Sequence, residues 1–338
     1  MDEIAVIGYP SKLGGADTEL DHQIDVWLKM NLRVHLIHTS DIDMNLKAMN
    51  MEERGCIVHE PRDWKACTGM PVISFCNGEF LKDICSIRDY ASKIFWVNCM
   101  SWLFPAEIEA HKEGLIDFFV YQTHDVMRKS AAVLRKHNKN FSGFVINPYF
   151  RTDDYPFVSD RNKDYFRFCR ISREDLAKFH PAQLWVYETM MAPELKSGCI
   201  LGFNEKIEKK IGKLPNWIRG LSAGSMPVQD LYRHAHACIQ MSDPSLTENL
   251  PRVGFEAMAM GCVLCCDNRG GWQREVVHGQ TGFLCSDERE FVYYSTRLAF
   301  ENGERTQLAR NARDHLDSNW GMSVAKESWT EFFNVALA

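Results

Sequence analysis

Short apolar blocks alternate with polar stretches of helical length along most of the chain. Near the start, EIAVIG reads as a buried strand and YPSKLGG as a glycine-containing turn. ADTELDHQIDVWLKM reads as a helix that gathers Leu20, Ile24, Trp27 and Leu28 on one face. RVHLIH resumes as a strand, so the opening is a parallel βαβ unit, and the rhythm continues through PVISFC, KIFWVN, FFVYQT and FSGFVI. The stretch NPYFRTDDYPFVSDRNKDY interrupts it with the proline, aspartate and asparagine of a linker, which puts a boundary near Pro156. Beyond it FRFCRIS, GCILGFN, WIRGLS, ACIQMS and CVLCCD read as strands with helices between them. The pattern predicts an α/β chain of two Rossmann-like, doubly wound domains, residues 1–155 and 156–317. From about Ser318 onward it predicts an amphipathic terminal helix (318–338) whose Trp and Phe side chains need a partner surface, expected to be the first domain.

A length of 338 residues suits two domains, each able to bury a core. The net charge of −6 gives the surface as a whole no electrostatic footprint for nucleic acid or an anionic membrane. MDEIAVIGYP carries no basic leader, and no segment approaches membrane-spanning length. A cytoplasmic protein without a membrane anchor is therefore expected. The twelve cysteines are scattered through apolar runs such as GCVLCC, where cysteine acts as a small hydrophobe in a reducing compartment. Cys262 and Cys265 have the C-x-x-C spacing but no second pair, and His234 and His236 have no third partner, so no metal site is expected.

The chemistry concentrates in SDPSLTENLPRVGFEAMAMG. Pro251 suits a first helical turn and Gly261 a position just past the end, which fixes a short helix with its N-terminus facing the preceding loop. Such an N-terminus offers unpaired N–H groups to phosphate, and Asn249 and Leu250 stand beside it. Glu248 in the loop and Glu256 in the helix flank that anion site, where carboxylates can accept from the hydroxyls of a sugar and a ribose. Arg170 at a strand end and Lys178 bring cations to the carboxyl edge of the sheet. Gly270 and Gly271 mark a turn where backbone could approach a ligand closely, ahead of a short helix containing Glu275.

The run from Glu248 to Gly282 resembles the signature of glycosyltransferase family 4: E-N-x-P-R-x-x-x-E-A-M-A, then G-G-x-x-E, then G-x-T-G-F-L. Glu248, Asn249, Pro251, Arg252, Glu256, Ala257, Met258 and Ala259 meet every fixed position of the first part. The resemblance implies a GT-B fold, two Rossmann-like domains facing each other across a cleft. It also implies transfer of a sugar from a UDP- or GDP-sugar with retention of anomeric configuration, and no metal or other cofactor. Under it Glu256 binds the ribose, Glu248 the transferred sugar, and Asn249 with Leu250 its phosphate region. Arg170 and Lys178 meet the diphosphate, and Gly14 and Gly15 approach the phosphates from the first domain. The chain departs from the family where Lys178 falls eight residues after Arg170 with no glycine following. Where many relatives carry a histidine near the sugar, this chain offers Asn98, with His124 as a second candidate.

The acceptor is less specified. In MRKSAAVLRKHNKN, Arg128 and Arg135 are seven apart, as are Lys129 and Lys136, and on a helix both pairs share one side. That stripe would track a phosphate-bearing acceptor, and the early GGADTELDHQ resembles virus-encoded transferases acting on hydroxymethylated pyrimidines in duplex DNA. The alternatives are a glycan or small-molecule acceptor, a GT-B epimerase, or a non-catalytic sugar-nucleotide-binding protein.

Overall fold

The computed structural model describes residues 1–8, 15–39, 51–193 and 195–338, in two compact units. Unit 1 comprises Met1–Phe150 with Trp320–Ala338, and unit 2 comprises Arg151–Asn319.

Unit 1 is a seven-stranded sheet in the order β3-β2-β1-β4-β5-β6-β7. Its strands are β1 (Glu3–Ile7), β2 (Arg33–Ile37), β3 (Ile57–Val58), β4 (Pro71–Phe75), β5 (Lys93–Asn98), β6 (Phe118–Tyr121) and β7 (Gly143–Val145). Every pairing is parallel. Both faces of such a sheet must be covered, which is why the strands read as unbroken apolar runs. The period-two alternation sends Ile4 and Val6 to one face, with Leu20, Ile24 and Trp27 of α1 (Gly15–Lys29). It sends Ala5 and Ile7 to the other, with Phe80 and Ile84 of α2 (Gly78–Arg88). Helices α3 (Pro105–Lys112) and α4 (His124–Leu134) complete that second face.

Leu28 is only partly buried, whereas Glu19, Asp21, His22 and Gln23 of α1 are buried with the apolar stripe. Their partners lie far along the chain: Arg54 pairs with Asp21 and Asp25, and the Trp329 indole donates to Gln23. The terminal helix starts later than the sequence pattern suggested. Residues 318–320 finish α11 (Asn302–Trp320), Gly321 interrupts, and α12 (Met322–Ala336) then lays Trp329, Phe332 and Phe333 into the α1 side of the unit 1 core.

Unit 2 is a six-stranded parallel sheet in the order β10-β9-β8-β11-β12-β13. Strands β8 (Tyr165–Ile171), β9 (Leu195–Leu201), β10 (Ile218–Leu221), β11 (Ala237–Gln240), β12 (Val263–Asp267) and β13 (Gly282–Cys285) alternate with six helices. These are α5 (Gln183–Thr189), α6 (Glu205–Ile211), α7 (Val228–His234), α8 (Arg252–Ala259), α9 (Trp272–Glu275) and α10 (Glu288–Phe300). Two strands escaped the sequence reading: β3 is two residues long, and β13 begins on a glycine inside GQTGFLC, where turn signals mask it. In each sheet chain order reverses beside the first strand of the unit, between β1 and β4 and between β8 and β11. Open α/β sheets bind ligands at the carboxyl ends of strands at such a reversal.

All twelve cysteines are free thiols. Cys262 and Cys265 are fully buried, as core packing requires.

Candidate functional site

At the reversal of unit 2, Arg170 near the end of β8 is 1% exposed and joins three segments. Its guanidinium donates to Gln240 Oε1 on β11 (2.7 Å), to the Lys178 carbonyl and to the Met241 carbonyl (3.4 Å). It also lies 4.3 Å from the centre of the Phe179 ring. Arg170 points into the protein, where carbonyls and a glutamine oxygen take its hydrogens. The Asp175 carboxylate accepts from the Ala177 N–H (2.9 Å) and caps the turn carrying Lys178.

Lys178 and Glu248 come together as a salt bridge, with side chains 18% and 16% exposed. Glu248 belongs to the loop from β11 to α8, which is pinned throughout its first half. Arg269 donates to the carbonyls of Ser242 (2.8 Å), Asp243 (2.9 Å) and Pro244 (2.9 Å). Asp267 accepts from the Ser242 N–H (2.9 Å). Lys210 reaches Asp243 at 2.5 Å, and its hydrogen bond holds that carboxyl far below the usual carboxylate range.

The loop's second half rests on the turn after β12. Gly271 N–H donates to the Glu248 carbonyl (2.9 Å). Gly270 has φ +59°, and a Cβ on it would stand 2.4 Å from the Glu248 carbonyl oxygen. A Cβ on Gly271 would stand 1.9 Å from the Asn249 carbonyl oxygen. The sequence reading reserved this close approach for a ligand; the backbone that approaches is the loop 248–250 itself. Asn249 and Leu250 are both buried there, 6% and 7% exposed.

Helix α8 starts one residue later than expected, with Pro251 as the N-cap and Arg252 the first helical residue. Gly261, at φ +73°, ends it. The carbonyls of its last turn are met by cations: Arg161 donates to those of Met260 (2.6 Å) and Gly261 (2.9 Å), and Arg313 to that of Ala259 (2.9 Å). Positive charge thus sits at the C-terminus, and the N-terminus faces the Glu248 loop. Glu256, partly buried one turn into the helix, is flanked by two phenols: Tyr155 at 3.3 Å from Oε1 and Tyr232 at 3.4 Å from Oε2. The Tyr232 hydroxyl also lies 3.0 Å from the Val253 carbonyl, so Glu256 is aimed by neighbours without being enclosed. Glu275 lies beneath, fully buried; its Oε2 would be 2.0 Å from a Cβ on Gly254. Burial, reinforced by the charge on Glu248, raises its carboxyl well above the usual range.

Tyr155, Tyr232, Arg269 and Lys210 were not found from sequence. They act from segments distant in the chain, and no local spacing marks them.

The remaining candidates lie in unit 1. Gly15 begins α1 and is exposed, whereas Gly14 lies outside the described residues. Asn98 ends β5 with no exposure. It donates to the Trp102 carbonyl (3.0 Å) and to Glu107 (2.9 Å) and accepts from the Met100 N–H (2.7 Å), so its polar atoms hold the loop above it. His124 is the exposed first residue of α4. The basic stripe runs from α4 into the turn that follows it. Arg128 and Lys129 are on α4 and both pair with Asp125, but the helix ends at Leu134. Arg135 caps it and rests 5.3 Å from the centre of the Phe141 ring, with Lys136 in the turn that follows.

Among the described residues no three His, Cys, Asp or Glu side chains are grouped to hold a metal ion, and no helix is long and apolar enough to cross a membrane.

Residues 198–315 match the family model described as Glycosyl transferases group 1. The chain is 22% identical over 216 residues to the glycosyltransferase 1 domain-containing protein 1 of Xenopus tropicalis, which spans 61% of this chain and 59% of that protein. It is 31% identical over 84 residues to spore coat protein SA of Bacillus subtilis, 24% of this chain and 22% of that one. The matches thus span about three-fifths or less of these relatives. Among solved structures, Anabaena Alr3699/HepE in complex with UDP and glucose superposes with a TM-score of 0.74 at 12% identity, covering 99% of this chain and 100% of that one. TarM superposes with a TM-score of 0.75 at 9% identity, covering 99% of each chain. The chain therefore has the two-sheet architecture of GT-B glycosyltransferases, and its second unit carries the glycosyl transferases group 1 match.

Proposed function

We propose that this protein is a retaining, metal-independent glycosyltransferase that moves a hexose from a UDP-sugar to an acceptor hydroxyl. The observation that carries the proposal is the arrangement of Glu248, Lys178 and Glu256 around the N-terminus of α8, at the chain reversal of a sheet in the segment matching the group 1 family model.

Each group then has a task. Glu256, aimed by Tyr155 and Tyr232, accepts from the ribose hydroxyls. Glu248 orients the sugar. Lys178 and the N–H groups at the start of α8 meet the diphosphate as it leaves, where stabilising developing charge lowers the barrier most. Arg170 is a positioning residue: by holding the Lys178 carbonyl it fixes the turn that presents the ammonium. The transition state is oxocarbenium-like, so a prearranged carboxylate and a neutralised leaving group supply what the reaction needs. UDP is preferred over GDP because Alr3699/HepE was solved with UDP-glucose. DNA is not part of the proposal, since none of the similar proteins reported above is described as acting on it.

Proton NMR of UDP-glucose with the protein, water serving as acceptor, tests the reading. Slow release of glucose that appears first as the α anomer, unchanged by a chelator, is expected. Initial β-glucose would refute retention. A new UDP-hexose would indicate an epimerase, and no turnover under any condition a non-catalytic binder.

A further inference from the structure

A further carboxyl lies beneath the donor loop, in surroundings unlike those of Glu248 and Glu256. Glu275 ends α9 with no solvent exposure, and among the described residues neither of its carboxyl oxygens has a hydrogen-bond partner. One peptide ties it to Glu248: the Gly271 N–H donates to the Glu248 carbonyl (2.9 Å), and the Gly271 carbonyl accepts from the Glu275 N–H (3.1 Å). The Glu275 side chain lies against the first turn of α8. A Cβ on Gly254 would stand 2.0 Å from Oε2, 3.2 Å from Cδ and 2.9 Å from Trp272 Cζ3, so only a glycine there leaves room for the carboxyl and the indole. Glu248 faces the carboxyl from the loop, Arg252 from α8, Arg274 from α9 and the Cys266 thiol from β12, while the His315 ring of α11 meets the Glu275 backbone carbonyl. Neither arginine donates to the carboxyl.

Two neighbouring carboxyls in one enclosed place do not both ionise cheaply. A negative charge on Glu248 is compensated, because that side chain is partly exposed and paired with Lys178. A charge on Glu275 would have neither water nor a donor. Burial first, and then the charge on Glu248, push the Glu275 carboxyl well above its usual range. Its place makes the charge state matter. A negative charge against the first turn of α8 would oppose the attraction of that helix start for a diphosphate. We propose that Glu275 is a positioning residue for the nucleotide sugar: as an uncharged acid it props the first turn of α8 through Gly254 and leaves the single negative charge of the pair on Glu248. The inference rests on the glycosyltransferase reading and adds to it a residue that works without touching the donor.

Two measurements on the full chain test it. Urea midpoints of the wild type and Glu275→Gln, taken from about pH 4 to about pH 8, read the proton without any substrate. The unfolded wild type releases the Glu275 proton near about pH 4.3, whereas the folded chain keeps it, so this residue costs stability as pH rises above that value. Glutamine removes the cost, and the variant's midpoint is expected to gain on the wild type progressively toward the alkaline end. A difference that stays constant across the series, or that turns in favour of the wild type, overturns the uncharged state. The second measurement is acceptor-free hydrolysis of UDP-glucose. Glu275→Ala removes the prop and is expected to raise KM about tenfold with kcat less affected, and Glu275→Gln, which restores the shape without a charge, is expected to recover to within about threefold of wild type. Glutamine as damaging as alanine, or alanine as active as wild type, overturns the proposal while the parent reading stands. Hydrolysis absent from the wild type overturns the parent reading and the donor role of Glu275 with it, whereas the urea series still decides where the proton lies.

Discussion

Gly271→Ala tests whether the turn after β12 sets the geometry of the donor loop. The new Cβ would stand 1.9 Å from the Asn249 carbonyl oxygen, 2.5 Å from the Asn249 carbonyl carbon and 3.0 Å from the Leu250 Cα. All three atoms are backbone, so no rotamer change relieves the contact. Carbon atoms are comfortable at about 3.5 Å, so residues 249–250 must retreat by roughly an ångström. The bond from Gly271 N–H to the Glu248 carbonyl would be lost with that shift. Overpacking of this kind costs about 1–3 kcal/mol of stability, and displacing reacting groups by an ångström lowers a rate by about 100-fold. Gly303→Ala is the control: nothing lies within 4 Å of its added Cβ, and a small gain in stability of up to about 1 kcal/mol is expected. Chemical denaturation and acceptor-free UDP-glucose hydrolysis read the two effects separately. If Gly271→Ala hydrolyses UDP-glucose within about twofold of wild type with an unchanged melt, the loop does not depend on the glycine turn and the reasoning fails.

Arg170→Met keeps the length of the side chain but orphans Gln240 Oε1 and the Lys178 carbonyl, so a loss of about 3 kcal/mol is expected in urea denaturation. An unchanged midpoint would contradict the positioning role. His236 accepts from the Arg167 N–H at Nδ1 (3.0 Å) and reaches the Asn162 carbonyl through Nε2 (2.8 Å), and burial lowers its pKa to about 4. The unfolded chain takes up the proton near pH 6.5 while the folded chain refuses it. His236 therefore supports stability fully above pH 6.5, and about 3 kcal/mol is lost as pH falls toward 4. His236→Gln should flatten that part of the stability profile; an equally steep profile would assign the loss elsewhere.

How far the sequence reached depends on where each interaction is encoded. Parallel strands covered on both faces appear as continuous apolar runs, so FRFCRIS and CVLCCD announced β8 and β12 directly. The E-N-x-P-R-x-x-x-E-A-M-A run marked the start of α8 for a similar reason, since capping and carboxylate spacing are local. Arg170 shows the opposite case. A cation at a strand end looks available, and only the neighbouring strand reveals that Gln240 and two carbonyls take its hydrogens. Gly271 was recognised as a place of close approach, but the approaching loop was not knowable from spacing. Of the α4 stripe, Arg128 and Lys129 lie on the helix, while Arg135 is its helical C-cap and Lys136 follows in the turn, an end that a seven-residue spacing does not mark.

The most direct test of the donor site is calorimetric titration of UDP-glucose into the wild type and into Glu256→Ala. Glu256 is one turn into α8, aimed by Tyr155 and Tyr232, and touches the ligand only if the ribose lies there. Removing charge-assisted hydrogen bonds to two hydroxyls should weaken binding by about tenfold to 100-fold, with circular dichroism unchanged. A folded Glu256→Ala protein that binds UDP-glucose as tightly as wild type would contradict the account.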